Sequence, residues 1–237
     1  MKRIFLEETE STNEYAKARR DLGENLLVVA KKQTGGRGTK GRSFCSNLGG
    51  VYLSLLTFYQ DFPASSAFQI MQGAAAAVCE TLAFFGVKPK IKWANDVYVN
   101  GKKICGILIE NALKGKYIGS SVVGIGLNVW NELSDELSSI ATTLFKETGK
   151  KMDVERVIDV LVRFLEEKNI HEKYAQYLGW LNEEVTLVIG DKETRAKLLS
   201  VDETGGLWAE IDGEKRRLAA AEVSLRVDRM ISEIDEV

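Results

Sequence analysis

The sequence predicts an α+β fold, with a larger domain over residues 1–180 and a small β-barrel over residues 181–237. Three observations predict it. Short apolar runs suited to buried strands flank a glycine-rich loop near the N-terminus; an alanine-rich stretch and a helical apolar repeat supply helices; from Glu183 onward, short strands alternate with Gly-Asp, Gly-Gly and Asp-Gly turns. A chain of 237 residues, 45% hydrophobic, can bury a core of this size.

Taken in order, Ser11 and Glu14 have capping-box spacing, which starts a helix at Ser11. Leu26-Leu27-Val28-Val29-Ala30 reads as a buried strand, followed by a loop over residues 33–50 that is rich in Gly, Ser, Thr and Asn and has no periodicity. Val51-Tyr52-Leu53-Ser54-Leu55-Leu56-Thr57-Phe58 returns to strand chemistry, and residues 67–85 favour a buried helix that Gly86 stops. Asn100-Gly101, between Val97-Tyr98-Val99 and Ile104-Cys105-Gly106-Ile107-Leu108-Ile109, is a hairpin signal, and a strand over residues 122–129 pairs nearby. Val154, Val157, Ile158, Leu161 and Leu165 predict one amphipathic helix over residues 153–177. Strands over 185–189, 196–199 and 207–211 make up the small barrel.

Composition excludes several classes of function. A net charge of −2, from 32 basic and 34 acidic side chains, leaves no broad basic surface for nucleic acid. The N-terminus meets Glu7 and Glu8 too early for a secretory signal, and no uninterrupted apolar run is long enough for a bilayer, so a cytoplasmic protein without membrane partners is expected. Cys45, Cys79 and Cys105 are far apart and form no C-x-x-C, against a zinc ribbon or a disulfide framework. The single histidine, His171, lies in a charged run that reads as a solvated face, which rules out histidine-based triads.

Gly36-Arg37-Gly38-Thr39-Lys40-Gly41 satisfies the dinucleotide pattern G-x-G-x-x-G, but Arg42-Ser43-Phe44-Cys45-Ser46-Asn47 is a poor opening for the helix that pattern needs. What remains is a loop carrying Lys31, Lys32, Arg37, Lys40 and Arg42 with no acidic residue among them. Glycine lets backbone N–H groups approach a phosphate, and arginine offers bidentate hydrogen bonds to it, so ATP or an adenylate is a natural ligand. An exposed basic loop without a ligand fits the composition equally well.

The segment Gln33-Thr34-Gly35-Gly36-Arg37-Gly38-Thr39-Lys40-Gly41-Arg42-Ser43-Phe44 resembles the loop of the biotin protein ligases, Q-T-x-G-R-G-R-x-G-R followed by an aromatic. The resemblance continues through Glu10-Ser11-Thr12-Asn13, Gly50-Val51-Tyr52-Leu53-Ser54, Lys92-Trp93-Ala94-Asn95-Asp96, Lys103-Ile104-Cys105-Gly106-Ile107-Leu108, Gly124-Ile125-Gly126-Leu127-Asn128 and Glu222-Val223-Ser224-Leu225-Arg226. It implies a mixed sheet flanked by helices, as in class II aminoacyl-tRNA synthetases and biotin and lipoate ligases, followed by an SH3-like barrel. It also implies an enzyme that makes biotinyl-5′-AMP from biotin and ATP with Mg²⁺, then passes biotin to a lysine of a biotin carboxyl carrier protein. A homodimer is compatible with it, and the catalytic pattern begins too early to leave room for an N-terminal DNA-binding domain.

By the same resemblance, Ser11, Thr12, Asn13, Gln33, Gly36, Arg37, Gly38, Thr39 and Lys103 line the biotin end. Arg37, Arg42 and Lys103 are the catalytic cations; Arg42, Phe44, Asn128 and Arg226, with Arg37, contact the nucleotide, and Asp96 is a Mg²⁺ ligand or its anchor. Without the resemblance, Ser11 reads as a helix cap, Lys103 as a solvated hairpin lysine and Asp96 as a turn residue. Thr39 replaces the usual second loop arginine, which puts retention of the adenylate in question, and Ala94 replaces the usual proline with little expected consequence. A lipoate or octanoate ligase and a non-catalytic biotin sensor are the alternatives.

Overall fold

The computed structural model describes residues 1–220 and 223–226. They fall into two compact units that divide between Leu178 and Gly179. The first is built on a seven-stranded sheet in the order β1-β2-β3-β7-β6-β5-β4. Its strands are β1 (Lys2–Thr9), β2 (Leu26–Gln33), β3 (Gly50–Pro63), β4 (Lys90–Lys92), β5 (Asp96–Val99), β6 (Lys102–Lys114) and β7 (Tyr117–Asn128). Only the β1–β2 pair is parallel, so the sheet is mixed.

Strand β1 is absent from the sequence reading because its residues are charged or half-exposed. It lies at the sheet edge, where a strand needs one backbone neighbour and no apolar run. The apolar runs of β2 and β3 occupy the interior, as expected. Asn100 (φ 49°) and Gly101 (φ 74°) both adopt the left-handed conformation that a two-residue hairpin turn requires, which fixes Lys103 at the start of β6.

Helices cover both faces. Helix α1 (Thr12–Lys17) is capped by Ser11, whose Oγ accepts from the Glu14 N–H, and Ala16 packs with Leu26, Val28, Leu56 and Val122 on one face. On the other face, α2 (Phe68–Phe84) lays buried Ala74, Ala75, Ala76 and Ala77 close against the sheet. The helical stretch Ala64–Phe84 is the one among the described residues with the length and hydropathy of a membrane span, and its buried residues Ala74 to Cys79 and Leu82 belong to the core.

Beyond β7 come α3 (Asp135–Ser138), α4 (Leu144–Thr148), α5 (Val154–Leu165) and α6 (Tyr174–Tyr177). The single helix expected over 153–177 is therefore broken. Helix α5 stops at Leu165, Asn169 turns the chain with φ 59°, and a 3₁₀ turn (Ile170–Lys173) leads into α6. The break sends Ile170 and Tyr174 into the core, and Glu80 of α2 holds the segment by accepting from Lys173 and Tyr177. His171 lies on this turn, away from the site described below.

The second unit is a five-stranded antiparallel sheet in the order β11-β10-β9-β8-β12, the SH3-like element expected at this end. Its strands are β8 (Glu184–Ile189), β9 (Lys192–Val201), β10 (Leu207–Ile211), β11 (Glu214–Leu218) and β12 (Val223–Arg226). Leu187, Leu198, Leu207 and Ala209 are buried at its centre, and Gly190, Asp212 and Gly213 take positive φ at the turns. Strand β11, Glu-Lys-Arg-Arg-Leu, is another charged edge strand that periodicity cannot reveal.

Candidate active site

A cavity opens on the α1 face of the large sheet, bounded by Ser11, Thr12 and Asn13 at the start of α1, by the loop after β2, and by β5, β6 and β7. Its floor is bare backbone. Gly106 of β6 and Gly126 of β7 are register partners, and Gly124 lies two residues along the same strand. A Cβ at Gly124 would overlap the Asn13 amide, one at Gly126 would run into the Phe44 ring, and one at Gly106 would come within 3.1 Å of Lys103 Nζ. Glycine serves here for close approach, most tightly at Gly124 and Gly126, rather than for backbone conformation, since none of the three has positive φ.

At one end, polar side chains form a connected network. The Thr12 N–H and Oγ1 both donate to Gln33 Oε1 (2.8 and 3.1 Å), and Gln33 Nε2 donates to Ser46 Oγ at 2.9 Å. Ser54 Oγ lies 2.8 Å from Thr12 Oγ1 and donates to Asn13 Oδ1 at 2.6 Å, while Asn13 Nδ2 donates to Glu110 Oε2 at 2.8 Å. Lys17 Nζ closes the chain on Glu110 Oε1 at 2.7 Å. Burial alone would raise the Glu110 carboxyl, but the hydrogen bonds from Lys17 and Asn13 and the charges of Lys17 and Arg20 bring it below its usual value. Ser46, Ser54, Lys17 and Glu110 were not among the residues read from sequence. The available signal was a serine within the apolar run of β3 and an acid closing the apolar run of β6.

At the other end are the cations. Lys103 Nζ pairs with Asp96 Oδ1 at 2.7 Å, both side chains being largely buried, and Asp96 stands opposite Gly106 on the neighbouring strand. Asn95 joins the same two strands: its Nδ2 donates to Ile107 O at 2.9 Å and its carbonyl accepts from the Ile107 N–H. Nearby, Lys92 donates to Tyr98 Oη at 3.1 Å; burial first, then the charges of Lys103 and Arg42, lower its pKa, with Asp96 opposing.

The loop expected to lack structure instead folds back on itself. The Phe44 N–H donates to Gly36 O, the Gly38 N–H to Arg42 O, and Arg37 bridges Ser43. Its base is tied to β1, where the Thr34 and Gly35 N–H groups donate to Thr9 and Glu10 carbonyls. Arg37 is held by Glu14 Oε1 (3.1 Å) and Glu10 Oε1 (3.3 Å). Arg42 donates to Thr39 O at 3.3 Å and Thr39 Oγ1 at 3.1 Å, so Thr39 serves as the arginine's partner. Phe44 stands on the glycine floor, edge-on to Tyr52 with ring centroids 6.4 Å apart.

The cavity thus gathers Ser11, Thr12, Asn13, Gln33, Arg37, Gly38, Thr39, Arg42, Phe44, Asp96 and Lys103. Gly36 lies in an adjoining pocket, its hydrogens facing the Ser46 hydroxyl and the Phe44 carbonyl. Asn128 is buried and outside the cavity lining, its Nδ2 donating to Thr142 O and its Oδ1 accepting from Asn131, both at 3.1 Å. Arg226 ends β12, and its side chain lies outside the described residues. Among the described residues no group of three His, Cys, Asp or Glu could hold a metal ion, and Asp96 is the one carboxylate on the cavity wall.

Comparison with known proteins places this geometry. Residues 5–128 match the model of the biotin/lipoate A/B protein ligase family, a span that contains every cavity-lining residue named above. The bifunctional ligase/repressor BirA of Bacillus subtilis is 33% identical over 226 residues, covering 88% of this chain and 68% of that protein. The biotin–[acetyl-CoA-carboxylase] ligase of Paracoccus denitrificans is 27% identical over 237 residues, covering 92% of this chain and 98% of the relative. Among solved structures, the biotin protein ligase from Aquifex aeolicus in complex with biotin and ATP superposes with a TM-score of 0.78 at 32% identity, covering 95% of this chain and 98% of that one. On the fold, the cavity and these likenesses together, the chain belongs to the biotin/lipoate A/B protein ligase family.

Proposed function

We propose that the chain is an ATP-dependent biotin protein ligase, which converts biotin to biotinyl-5′-AMP and then transfers biotin to a lysine of a biotin carboxyl carrier protein. The observation that carries this reading is the two-ended cavity, with a polar network around Thr12, Asn13 and Gln33 at one end and Lys103, Arg37 and Arg42 at the other. A ureido head offers N–H donors and a carbonyl acceptor to the polar end. A dithiolane or an alkyl tail would leave those groups without new partners, which disfavours lipoate and octanoate.

In the first step a biotin carboxylate oxygen attacks the α-phosphorus of ATP, the bond to the bridging oxygen breaks, and pyrophosphate leaves. Negative charge gathers around the α-phosphate. Lys103 exchanges part of its Asp96 contact for that charge, while Arg37 and Arg42 turn from Glu10, Glu14 and Thr39 to the phosphates. Phe44, on its glycine floor, supplies an apolar surface for the adenine. Mg²⁺, when bound with ATP, would supply neutralisation of phosphate charge; with Asp96 as the single carboxylate on the wall, the ion would be held mostly by the nucleotide itself, the usual arrangement for Mg²⁺. In the second step the deprotonated ε-amine of the carrier lysine attacks the acyl carbon and AMP departs.

We assign Asn128 a supporting role through Thr142, and the cytoplasm as the compartment where the carrier is met. A homodimer is compatible with this reading. Pyrophosphate release with ATP and biotin, lipoate or octanoate in turn tests substrate choice, and transfer of labelled biotin to a carrier domain tests the second step. Release driven by lipoate or octanoate in preference to biotin would overturn the reading, and biotin binding with neither pyrophosphate release nor transfer would replace the ligase by a non-catalytic biotin sensor.

A further inference from the structure

Lys103 is held by its main chain as well as by its sheet. Residues 140–142, in the crossing from β7 to α4, run parallel to the start of β6: the Lys103 N–H donates to Ile140 O at 3.0 Å, and the Thr142 N–H donates to Lys103 O at 2.9 Å. The neighbouring Lys102 Nζ donates to Ser138 O at 2.9 Å. This strap and the hairpin turn before Lys103 are separate segments of chain, and one side chain joins them. Glu147 of α4 accepts from Thr142 Oγ1 through one carboxylate oxygen, and from Asn100 Nδ2 at 2.7 Å through the other. Asn100 is the first residue of the turn that leads into Lys103.

We propose that Glu147 is a positioning residue for Lys103: by bridging Asn100 and Thr142, its carboxylate holds the turn and the strap on either side of Lys103 and so fixes where the ammonium stands in the cavity. Glu147 does not line the cavity, so it acts only through the lysine. A carboxylate suits the task because its two oxygens accept from two segments at once; an amide keeps one acceptor and turns a donor toward the other donor. Thr142 is buried and its carbonyl accepts from Asn128, so the strap end of the bridge is fixed and the turn is the end that Glu147 restrains.

The consequence for catalysis rests on the ligase reading, so the test pairs a structural readout with an activity. Amide hydrogen exchange is followed on the full chain for the parent, Glu147→Ala and Asn100→Gly, alongside pyrophosphate release with biotin and ATP. In Glu147→Ala, exchange at Lys103 and Thr142 should rise by about tenfold or more, while the β2 and β3 amides stay as in the parent. A displacement of the order of an ångström at a catalytic group should lower kcat by about tenfold or more, with KM for biotin and ATP within about twofold. Because the effect passes through Lys103, Glu147→Ala should cost less than about twofold when added to Lys103→Ala. Asn100→Gly, which keeps the left-handed turn and removes the turn end of the bridge from an exposed residue, should show the same pattern at smaller size and decides the question should Glu147→Ala fail to fold. Unchanged exchange at Lys103, a uniform rise over the whole sheet, or an equal loss of rate in the Lys103→Ala background would overturn the proposal. A parent that releases no pyrophosphate with biotin would refute the ligase reading instead, and the exchange result would still decide whether Glu147 holds Lys103.

Discussion

Replacing Gly124 by alanine adds one carbon, and the site has no room for it. That carbon would overlap the amide of Asn13, which is locked by Ser54 Oγ at 2.6 Å and Glu110 Oε2 at 2.8 Å. Relief requires Asn13 to leave. A lost neutral hydrogen bond costs about 1 kcal/mol and one to a charged group about 1.5–3, so stability should fall by about 2.5–4 kcal/mol. For a domain of this size that corresponds to a drop in Tm of roughly 5–15 °C. A displaced Asn13 also no longer meets the biotin head, which should raise KM for biotin by about tenfold, the equivalent of about 1.4 kcal/mol. Gly119, on the same strand, is the control: a Cβ there meets nothing closer than 3.4 Å and its φ is not positive, so Gly119→Ala should match the parent. Melting curves and pyrophosphate release over a range of biotin concentrations give both quantities. A Gly124→Ala protein with the parent's Tm and a biotin KM within about twofold of the parent's would refute the assignment of this end of the cavity.

Other outcomes follow from neighbouring parts of the site. Thr39→Arg restores a cation beside Arg42 and should slow dissociation of the adenylate by about tenfold or more, as expected for a charge-assisted hydrogen bond; an unchanged rate in a labelled-adenylate release assay would show that Thr39 is not the gap in the cationic set. Glu110 has a folded pKa below its ordinary value, so its contribution to stability is present above the usual carboxylate range and is lost as pH falls through the lowered value. Melting curves between about pH 7 and about pH 3 should therefore show a smaller acid-side loss in Glu110→Gln than in the parent, from a lower starting point. Gly126→Val should push Phe44 off the floor and raise KM for ATP more than KM for biotin, read from the same pyrophosphate assay.

Much of the site was legible because its parts are local. The Ser11 cap and the Asn100-Gly101 turn are fixed by neighbours in sequence, the loop cations stand together in one short segment, and β2, β3 and β7 declare themselves by apolar runs. What stayed hidden depends on tertiary approach. Strands β1 and β11 are edges rich in charged side chains, and the break after Leu165 combines the left-handed turn at Asn169 with the burial of Ile170 and Tyr174. The sequence marks Asn128 as a nucleotide contact and gives no sign of its amide's bonds to Thr142 and Asn131. The polar network joins α1, β2, β3 and β6 across up to 97 positions of sequence, and no local pattern could pair Asn13 with Glu110.

The central claim is that this cavity activates a biotin carboxylate with Lys103 at the reacting phosphate. Biotin-dependent pyrophosphate release, measured for the parent and Lys103→Ala under the same ATP and Mg²⁺, tests it most directly. The parent should release pyrophosphate when biotin is added, and Lys103→Ala should do so at least about a hundredfold more slowly, the usual cost of removing a group that stabilises developing charge. Release that does not depend on biotin, or that proceeds undiminished without the Lys103 ammonium, would contradict the account.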